Sequence, residues 1–320
     1  FPKILSTIYD ILKGFFLIFY IIYIKKIKIL HCRSYISGTL SLMTSFFFKM
    51  QIIFDMRGFW INERSDRQGL SKKSLIFIFF KKVEKYLYHK SNIIITLTHQ
   101  AKEIILNNNP NISKDKIYVI PTCADEDYFI PYSNNNPKKE IILGYIGSID
   151  TAYDIKKIIL SFSKLVKNIP NIHLKIFTKD IIKFNTLIKN YNISKSYYSV
   201  GFVDRNNILK EIQSFDYGIF YINKNFSSTA SFPTKIAEFF LCGIPIICNH
   251  FNEDISNLIN DNQLGIINEF QDNDHNQLIN YILNNHSNYQ NAILCRKFAL
   301  QNLSLSNGYN IYKKIYEKLS

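Results

Sequence analysis

Hydrophobic residues along the chain fall in short runs separated by polar stretches. In the first half the runs occupy positions 27–32, 52–55, 92–98 and 116–122. In the second half they occupy 141–146, 173–177, 198–200, 218–222, 244–248 and 264–267. Runs this short, rich in Ile and Val and bounded by polar residues, predict buried strands. Between them the spacing turns helical, most clearly over 74–88 and 100–106. Regular strand–helix alternation predicts α/β architecture, with parallel sheets covered by helices. Residues 125–139 are polar and contain Pro131, Pro137 and the Asn134–Asn136 cluster, which is linker chemistry. The expected division is a first domain over 1–130, a second over 140–304, and a closing segment over 305–320. In that segment Tyr309, Ile311, Tyr312, Ile315 and Tyr316 mark an amphipathic helix at 308–319. Two doubly wound domains imply a cleft at the C-terminal ends of their strands. No internal repeat is visible, and the only biased segments are Asn clusters.

Composition narrows the class. A chain of 320 residues with 47% apolar content suits two folded domains and excludes disorder. The formal charge is +14, but only six of the 39 basic residues are Arg. Abundant Lys, Ile and Asn reflect in part an AT-rich coding sequence, so the charge argues little for nucleic acid. No aromatic RNA-binding signature or metal-finger spacing accompanies it, and nucleic acid is not an expected partner. The charge suits an anionic membrane surface or nucleotide diphosphates. Cys32, Cys123, Cys242, Cys248 and Cys295 are odd in number and lack Cys-x-x-Cys spacing, which predicts buried free thiols in a reducing cytosol. The apolar run 15–24, flanked by Lys13, Lys25 and Lys26, is too short for a bilayer, which needs about 20 residues. It is read as a buried helix feeding the first strand, with a helix lying in a membrane interface as the alternative. No signal peptide or lipidation motif is visible, so a cytoplasmic location is expected, with peripheral contact at the inner membrane face.

Residues 231–249, Ser-Phe-Pro-Thr-Lys-Ile-Ala-Glu-Phe-Phe-Leu-Cys-Gly-Ile-Pro-Ile-Ile-Cys-Asn, carry the densest chemistry. Pro233 suits a helix start, and Gly243 with Pro245 suits its end. Ile236, Phe239 and Phe240 share one face that should pack on a sheet. Thr234, Lys235 and Glu238 are assigned to the opposite side, near the helix N-terminus. Free N–H groups, the helix dipole and Lys235 together make a place to hold a diphosphate. Glu238, one turn on, would accept from ribose hydroxyls. A capped amphipathic helix of any α/β protein is the plain alternative.

The pattern Pro-Thr-Lys-x-x-Glu-x-x-x-x-Gly-x-Pro-x-Ile, followed by Leu264-Gly265-Ile266-Ile267, resembles the donor-site motif of family 4 (group 1) glycosyltransferases of the GT-B fold. The resemblance implies two Rossmann-like doubly wound domains facing a cleft. It also implies that Glu238 is the second Glu of a Glu-x7-Glu pair, contacting the nucleotide ribose. The first Glu, near the transferred sugar in that family, would fall at position 230, which is Ala here. The closing helix is implied to cross back to the first domain. Family members usually open with a strand, a Gly-rich loop and further βα units. The chain starts with Phe, and the segment Ile27-Lys-Ile-Leu-His-Cys-Arg-Ser-Tyr resembles a strand well inside that domain. The expectation is therefore a fragment or a shortened member.

A second constellation is Phe54-Asp55-Met56-Arg57-Gly58-Phe59-Trp60-Ile61-Asn62-Glu63-Arg64, after a predicted strand. It holds the only Trp, and Arg33, Arg57, Arg64 and Arg67 lie within 35 residues. Arg offers a rigid fork for phosphate or carboxylate. The segment resembles the Asp-x-Arg-Gly-x-Trp-x-x-Glu-Arg stretch of a subset of family 4 transferases. Asp55 is the first candidate for an acceptor-side carboxylate and Arg57 accompanies it; an ion-pair network fixing a loop is the alternative. His31 and His99 end strands on the same side, and His99 is the second candidate base. Gly144-Tyr-Ile-Gly147-Ser148-Ile149-Asp150 resembles the first βα turn of the donor domain, where Gly lets backbone approach a phosphate. The basic residue usual in that loop is missing, so the diphosphate contact falls to Lys235 or to Lys179. Gly201-Phe202-Val203-Asp204-Arg205 resembles the loop against which the nucleotide base lies, bringing in Phe202 and Arg205.

These readings predict a glycosyltransferase that moves a hexose-type sugar from a nucleotide diphosphate sugar to a hydroxyl of a glycan or lipid-linked glycan. Retention, no metal and no cofactor beyond the nucleotide sugar co-substrate are expected. The rivals are a non-catalytic nucleotide-sugar or glycan-binding homologue and a basic membrane-surface adaptor.

Overall fold

The computed structural model describes residues 2–132, 140–149, 152–270, 274–286 and 289–320, with backbone only over 2–8. Its strands lie in two parallel sheets, one in each of two compact units. The first unit holds the chain up to Pro121 together with Thr229–Ser231 and Ile311–Ser320. The second holds Thr122–Ser228 and Phe232–Asn310.

In the first unit the order is α1 (Pro2–Lys25), β1 (Ile29–Arg33), α2 (Ser34–Ser45), β2 (Gln51–Asp55), α3 (Trp60–Gln68), α4 (Leu75–Lys90), β3 (Ile93–Thr96), α5 (His99–Asn108) and β4 (Ile117–Val119). The strands pair side by side in chain order, and Arg33 and Asp55 are register partners at the ends of β1 and β2. Tyr35, Phe54, Leu87, Tyr88, Ile94 and Ile105 form the core under α2, α4 and α5. On the other face Ile53, Ile93, Ile95 and Ile120 pack against Ile315, from the last turns of the chain. Helix starts follow the polar residues before them: Ser74 Oγ accepts from Phe77 N, and Thr98 Oγ1 accepts from Ala101 N.

The expectation for 15–24 needs correction. The segment is helical and feeds β1, but α1 is not a buried helix. Ile22 is buried, whereas Tyr9, Leu12, Phe16, Leu17, Tyr20 and Tyr23 are exposed. Phe19 packs edge-on against Phe47 and Phe48, and Gly14 lies over Leu40. A neighbour on one side covers only one stripe of a helix that is apolar all round. No helix among the described residues is long and apolar enough to cross a membrane.

The second unit runs β5 (Ile141–Ile146), α6 (Ile155–Leu165), β6 (Ile172–Phe177), α7 (Ile181–Ile188), β7 (Tyr198–Gly201), α8 (Ile208–Ile212), β8 (Tyr217–Ile219), α9 (Thr234–Leu241), β9 (Ile246–Cys248), α10 (Glu253–Asn262), β10 (Gly265–Ile267), α11 (Asp274–Asn285), α12 (Tyr289–Asn302) and α13 (Leu305–Leu319). The last turns of α13 belong to the first unit. The sheet order is β10-β9-β8-β5-β6-β7. The winding reverses between β5 and β8, where open α/β sheets bind their ligands. Both runs at 218–222 and 244–248 give shorter strands than the pattern predicts. Asn249 clamps Ile222 through both its amide atoms, while Asp154 N bonds Tyr221 O and Asn223 N bonds Ala152 O. Ile244 N turns back to Phe239 O at the end of α9, and Pro245 has no N–H to give. Of the predicted linker, 125–132 is described and begins with a turn in which Asp125 Oδ1 accepts from Asp127 and Tyr128 N; 133–139 lies outside the described residues.

Two glycines face each other across the central strand pair, Gly144 of β5 and Gly218 of β8. A Cβ on Gly144 would sit 2.1 Å from the Phe215 ring, and one on Gly218 would sit 2.3 Å from the Phe239 ring of α9. Gly218→Ala should therefore cost about 1–3 kcal/mol through overpacking, since both rings are buried and cannot retreat. Gly201→Ala, with nothing within 4 Å, should leave the melting temperature near wild type. Equal melting temperatures for the two variants would show that the Gly218 contact is relaxed in solution.

Candidate functional site

The second unit gathers one group of candidates at its strand reversal. Helix α9 follows Pro233, which has extended backbone and no N–H to satisfy. Gly147 follows β5 with φ 154°, a conformation that side chains rarely adopt. The turn after it is fixed: Gly147 N bonds Phe177 O at 3.0 Å, Ile149 N donates to Asp180 Oδ2 at 3.0 Å, and Tyr145 Oη donates to Ser148 O at 2.6 Å. A Cβ on Gly147 would come within 3.1 Å of Lys235 Nζ. Backbone of β5 and side chain of α9 thus meet at one point.

Lys235 does not lie on the open side of its helix as expected. It is 7% exposed, and its Nζ stands 3.6 Å from the Tyr153 ring centroid, 4.4 Å from Tyr145 and 5.5 Å from Phe220. The amine has no hydrogen-bond partner among the described residues. Burial pulls it down to about 7, with Glu238 pulling the other way. Glu238 is half-buried and its carboxyl is raised by burial, against the fields of Lys235 and Arg205. A signal for the orientation of Lys235 existed in the sequence: it is four residues before Phe239, so both share one helix face. The three rings around it come from separate segments, which no local pattern reveals.

Other donor-side candidates are placed more loosely. Thr234 and Ser148 are exposed. Lys179, after β6, holds its Nζ 5.9 Å over the exposed ring of Phe202, after β7. Arg205 is exposed, and its carbonyl accepts from Tyr128 Oη at 2.7 Å. Asp204 braces that loop through Asn207 N at 2.9 Å. Asp150 lies outside the described residues.

In the first unit Asp55 is 4% exposed at the end of β2. Tyr312 Oη donates to its Oδ2 at 3.3 Å, while its Oδ1 is buried without a partner among the described residues. Burial raises its carboxyl; Arg57, His31 and Arg33 oppose that. His31 is lowered, chiefly by burial, and its Nδ1 lies 2.8 Å from Tyr316 Oη. Tyr312 and Tyr316, four apart on the last turns of α13, were legible as an apolar stripe but not as partners of Asp55 and His31. Arg57 sits at φ 60°, just before Gly58 at φ 140°. The arginine cluster divides: Arg33 and Arg57 flank Asp55, Arg64 lies 4.8 Å over the Trp60 ring, and Arg67 pairs with Glu63 at 2.6 Å. His99 is the exposed first residue of α5. Ala230 is buried with Met56 and Phe59 in the first core. The five cysteines are free; four are buried. Among the described residues no three His, Cys, Asp or Glu side chains gather as a metal site.

The buried amine sets a pH signature. Its folded pKa lies below the ordinary lysine value of about 10.4, so the unfolded chain binds the proton better between about 7 and 10. Wild-type stability should rise over that interval. Lys235→Met should be more stable than wild type at pH 6 by several kcal/mol, about 1.4 for each unit of the downward shift, and the gap should close as pH approaches 10. Thermal melts across pH check this; a gap independent of pH would show that the amine is not desolvated.

Comparison with known proteins gives the family and the fold. Residues 129–294 match the family Glycosyl transferases group 1. No match to a curated protein sequence reaches significance. Among solved structures, Anabaena Alr3699/HepE in complex with UDP is 11% identical over 95% of this chain and 82% of its own, with a TM-score of 0.73. A glycosyltransferase from Rickettsia africae ESF-5 is 18% identical over 97% and 82%, at 0.72. Sucrose-phosphate synthase from Thermosynechococcus elongatus is 16% identical over 91% and 73%, at 0.69. These likenesses carry the fold, GT-B with two parallel-sheet domains, and the match over more than half the sequence carries the family: the chain belongs to the group 1 glycosyl transferases.

Proposed function

We propose that this glycosyltransferase, as a family 4 member, moves a hexose-type sugar from a nucleotide diphosphate sugar to a hydroxyl of a glycan or lipid-linked glycan, with retention. The observation that carries the reading is the buried amine of Lys235, which has no hydrogen-bond partner among the described residues, beside the Gly147 turn and at the reversal of a parallel sheet. A diphosphate there would meet the α9 first-turn amides, the positive end of the helix dipole and the amine. Glu238, one turn on, would accept from the ribose hydroxyls. Phe202 and Arg205 would lie against the base, and Lys179 would add charge to the phosphates. HepE binds UDP, which makes uridine the first base to test.

In the proposed step the bond from the anomeric carbon to the diphosphate oxygen breaks and the acceptor oxygen bonds that carbon. The acceptor proton passes to the leaving phosphate. Charge develops on the diphosphate, where the amide and amine donors act by electrostatic stabilisation, and no metal is called for. Asp55 and Arg57 would orient the acceptor, with His99 in reserve.

Calorimetry with UDP, ADP, GDP and the nucleosides tests the donor half. Lys235→Ala should weaken nucleoside diphosphate binding by about 10–100-fold, a charge-assisted contact of about 1.5–3 kcal/mol, and barely touch nucleoside binding. Glu238→Gln should weaken both. Equal loss for diphosphate and nucleoside in Lys235→Ala would make the lysine purely structural. Wild-type diphosphate affinity should also fall as pH rises above about 7, because the amine must be charged to serve the phosphate.

Asp55→Asn and Arg57→Lys should keep donor affinity within a few-fold, about 1 kcal/mol or less, and cut transfer strongly. Lower melting temperature with normal specific activity in the folded fraction would reduce both residues to loop supports. Donor binding with no turnover on any hydroxyl acceptor would favour the non-catalytic reading.

A further inference from the structure

We propose that the first two turns of α4, with the lysines around them, form a docking surface for an anionic lipid bilayer. Leu75 is 85% exposed, Ile76 59% and Phe79 57%, and Ile78 is exposed beside them. The inward stripe of the same helix is already used: Phe77, Leu87 and Tyr88 are buried. These four side chains are therefore surplus apolar surface, clustered at one end of the helix.

Charge selects the occupant. Lys72 and Lys73 precede the apolar tip, and Lys82, Lys85 and Lys90 follow it, all exposed. Between Arg67 and Glu103 the only acidic residue is Glu84. Glu84 is 3% exposed and engaged by Lys81 and by Tyr35 Oη at 2.8 Å. The tip thus presents apolar side chains within a collar of cations, and the stretch of chain between Arg67 and Glu103 adds no exposed carboxylate to them. Cations at headgroup level and apolar side chains just below it are what an anionic membrane interface favours. The tip also stands beside the acceptor-side segment. Phe80 packs edge-on against Trp60 at 4.9 Å, and Tyr35 Oη lies 3.2 Å from Gly58 O. A bilayer under α4 would bring a lipid-linked acceptor close to Arg57. That link rests on the proposed function; the docking surface itself does not.

Co-sedimentation with vesicles of phosphatidylcholine, with and without phosphatidylglycerol, tests the surface on the full chain. Wild type should bind the anionic vesicles in a salt-sensitive manner and the neutral ones weakly. The double variants Leu75→Ser/Phe79→Ser and Lys72→Glu/Lys73→Glu should each lose about tenfold or more in vesicle affinity. Their melting temperatures and their stabilisation by UDP should match wild type. Wild-type vesicle affinity in either variant would overturn the proposal, as would equal binding to neutral vesicles or none to anionic ones. A lipid-free dimer that dissociates in Leu75→Ser/Phe79→Ser would assign the tip to a second copy and overturn it too. Vesicle binding without any UDP effect would leave the docking surface standing and count against the donor reading alone.

Discussion

The close seat of α9 on its sheet rests on an absence, the missing side chain at Gly218. With no Cβ there, the Phe239 ring can lie on the strand itself, and Gly144 on the neighbouring strand admits Phe215 in the same way. The two rings then meet edge to face at 6.1 Å. Lys235, four residues before Phe239, is carried down with it and enters the space between Tyr145, Tyr153 and Phe220. The position of a charge is thus fixed by the packing of apolar rings.

Magnitudes explain why that amine is poised. Removing an ammonium from water costs several kcal/mol, even after relaxation. Aromatic faces return about 2 kcal/mol or somewhat more when desolvated. Desolvation wins, and the amine comes down to about 7. A diphosphate beside it would add charge-assisted hydrogen bonds of about 1.5–3 kcal/mol, enough to reverse the balance. Asp55 repeats the theme with the opposite sign. Its burial raises the carboxyl, and the cations at Arg57, His31 and Arg33 hold the shift back. In both places an ionisable group has been sunk among others that only partly compensate it.

Much of this was legible beforehand, and the failures share one cause. Strand runs and the punctuation of α9 by Pro233 and Gly243 are local patterns, and local patterns gave the two parallel sheets. Burial is not local. The run 15–24 looked like core because it is apolar, yet what surrounds α1 leaves most of it exposed. Lys235 looked exposed because lysine usually is, although its spacing to Phe239 pointed inward. The partners of Asp55 come from α13, some 257 positions away in sequence, and no periodicity joins them.

Position 230 shows how packing and chemistry exclude one another. The family pattern would place an acidic residue there, and this chain has Ala. Ala230 is 1% exposed and belongs to the core that holds Met56 and Phe59. Its segment is tied down by Thr98 Oγ1, which donates to Thr229 O at 2.8 Å, and the Ala230 carbonyl lies over Gly58. A carboxylate set into that packing would lose its water, a cost of several kcal/mol unless a donor or a cation made it good. The alanine is a core residue of the first unit; a Cβ at Gly58 would lie 3.9 Å from its carbonyl, an ordinary contact, so it is the φ of 140° rather than space that calls for glycine at 58. The same Gly58 follows Arg57 at φ 60°. The residue at 230 and the turn through Arg57 and Gly58, flanked by Met56 and Phe59, thus belong to one packed corner of the first unit.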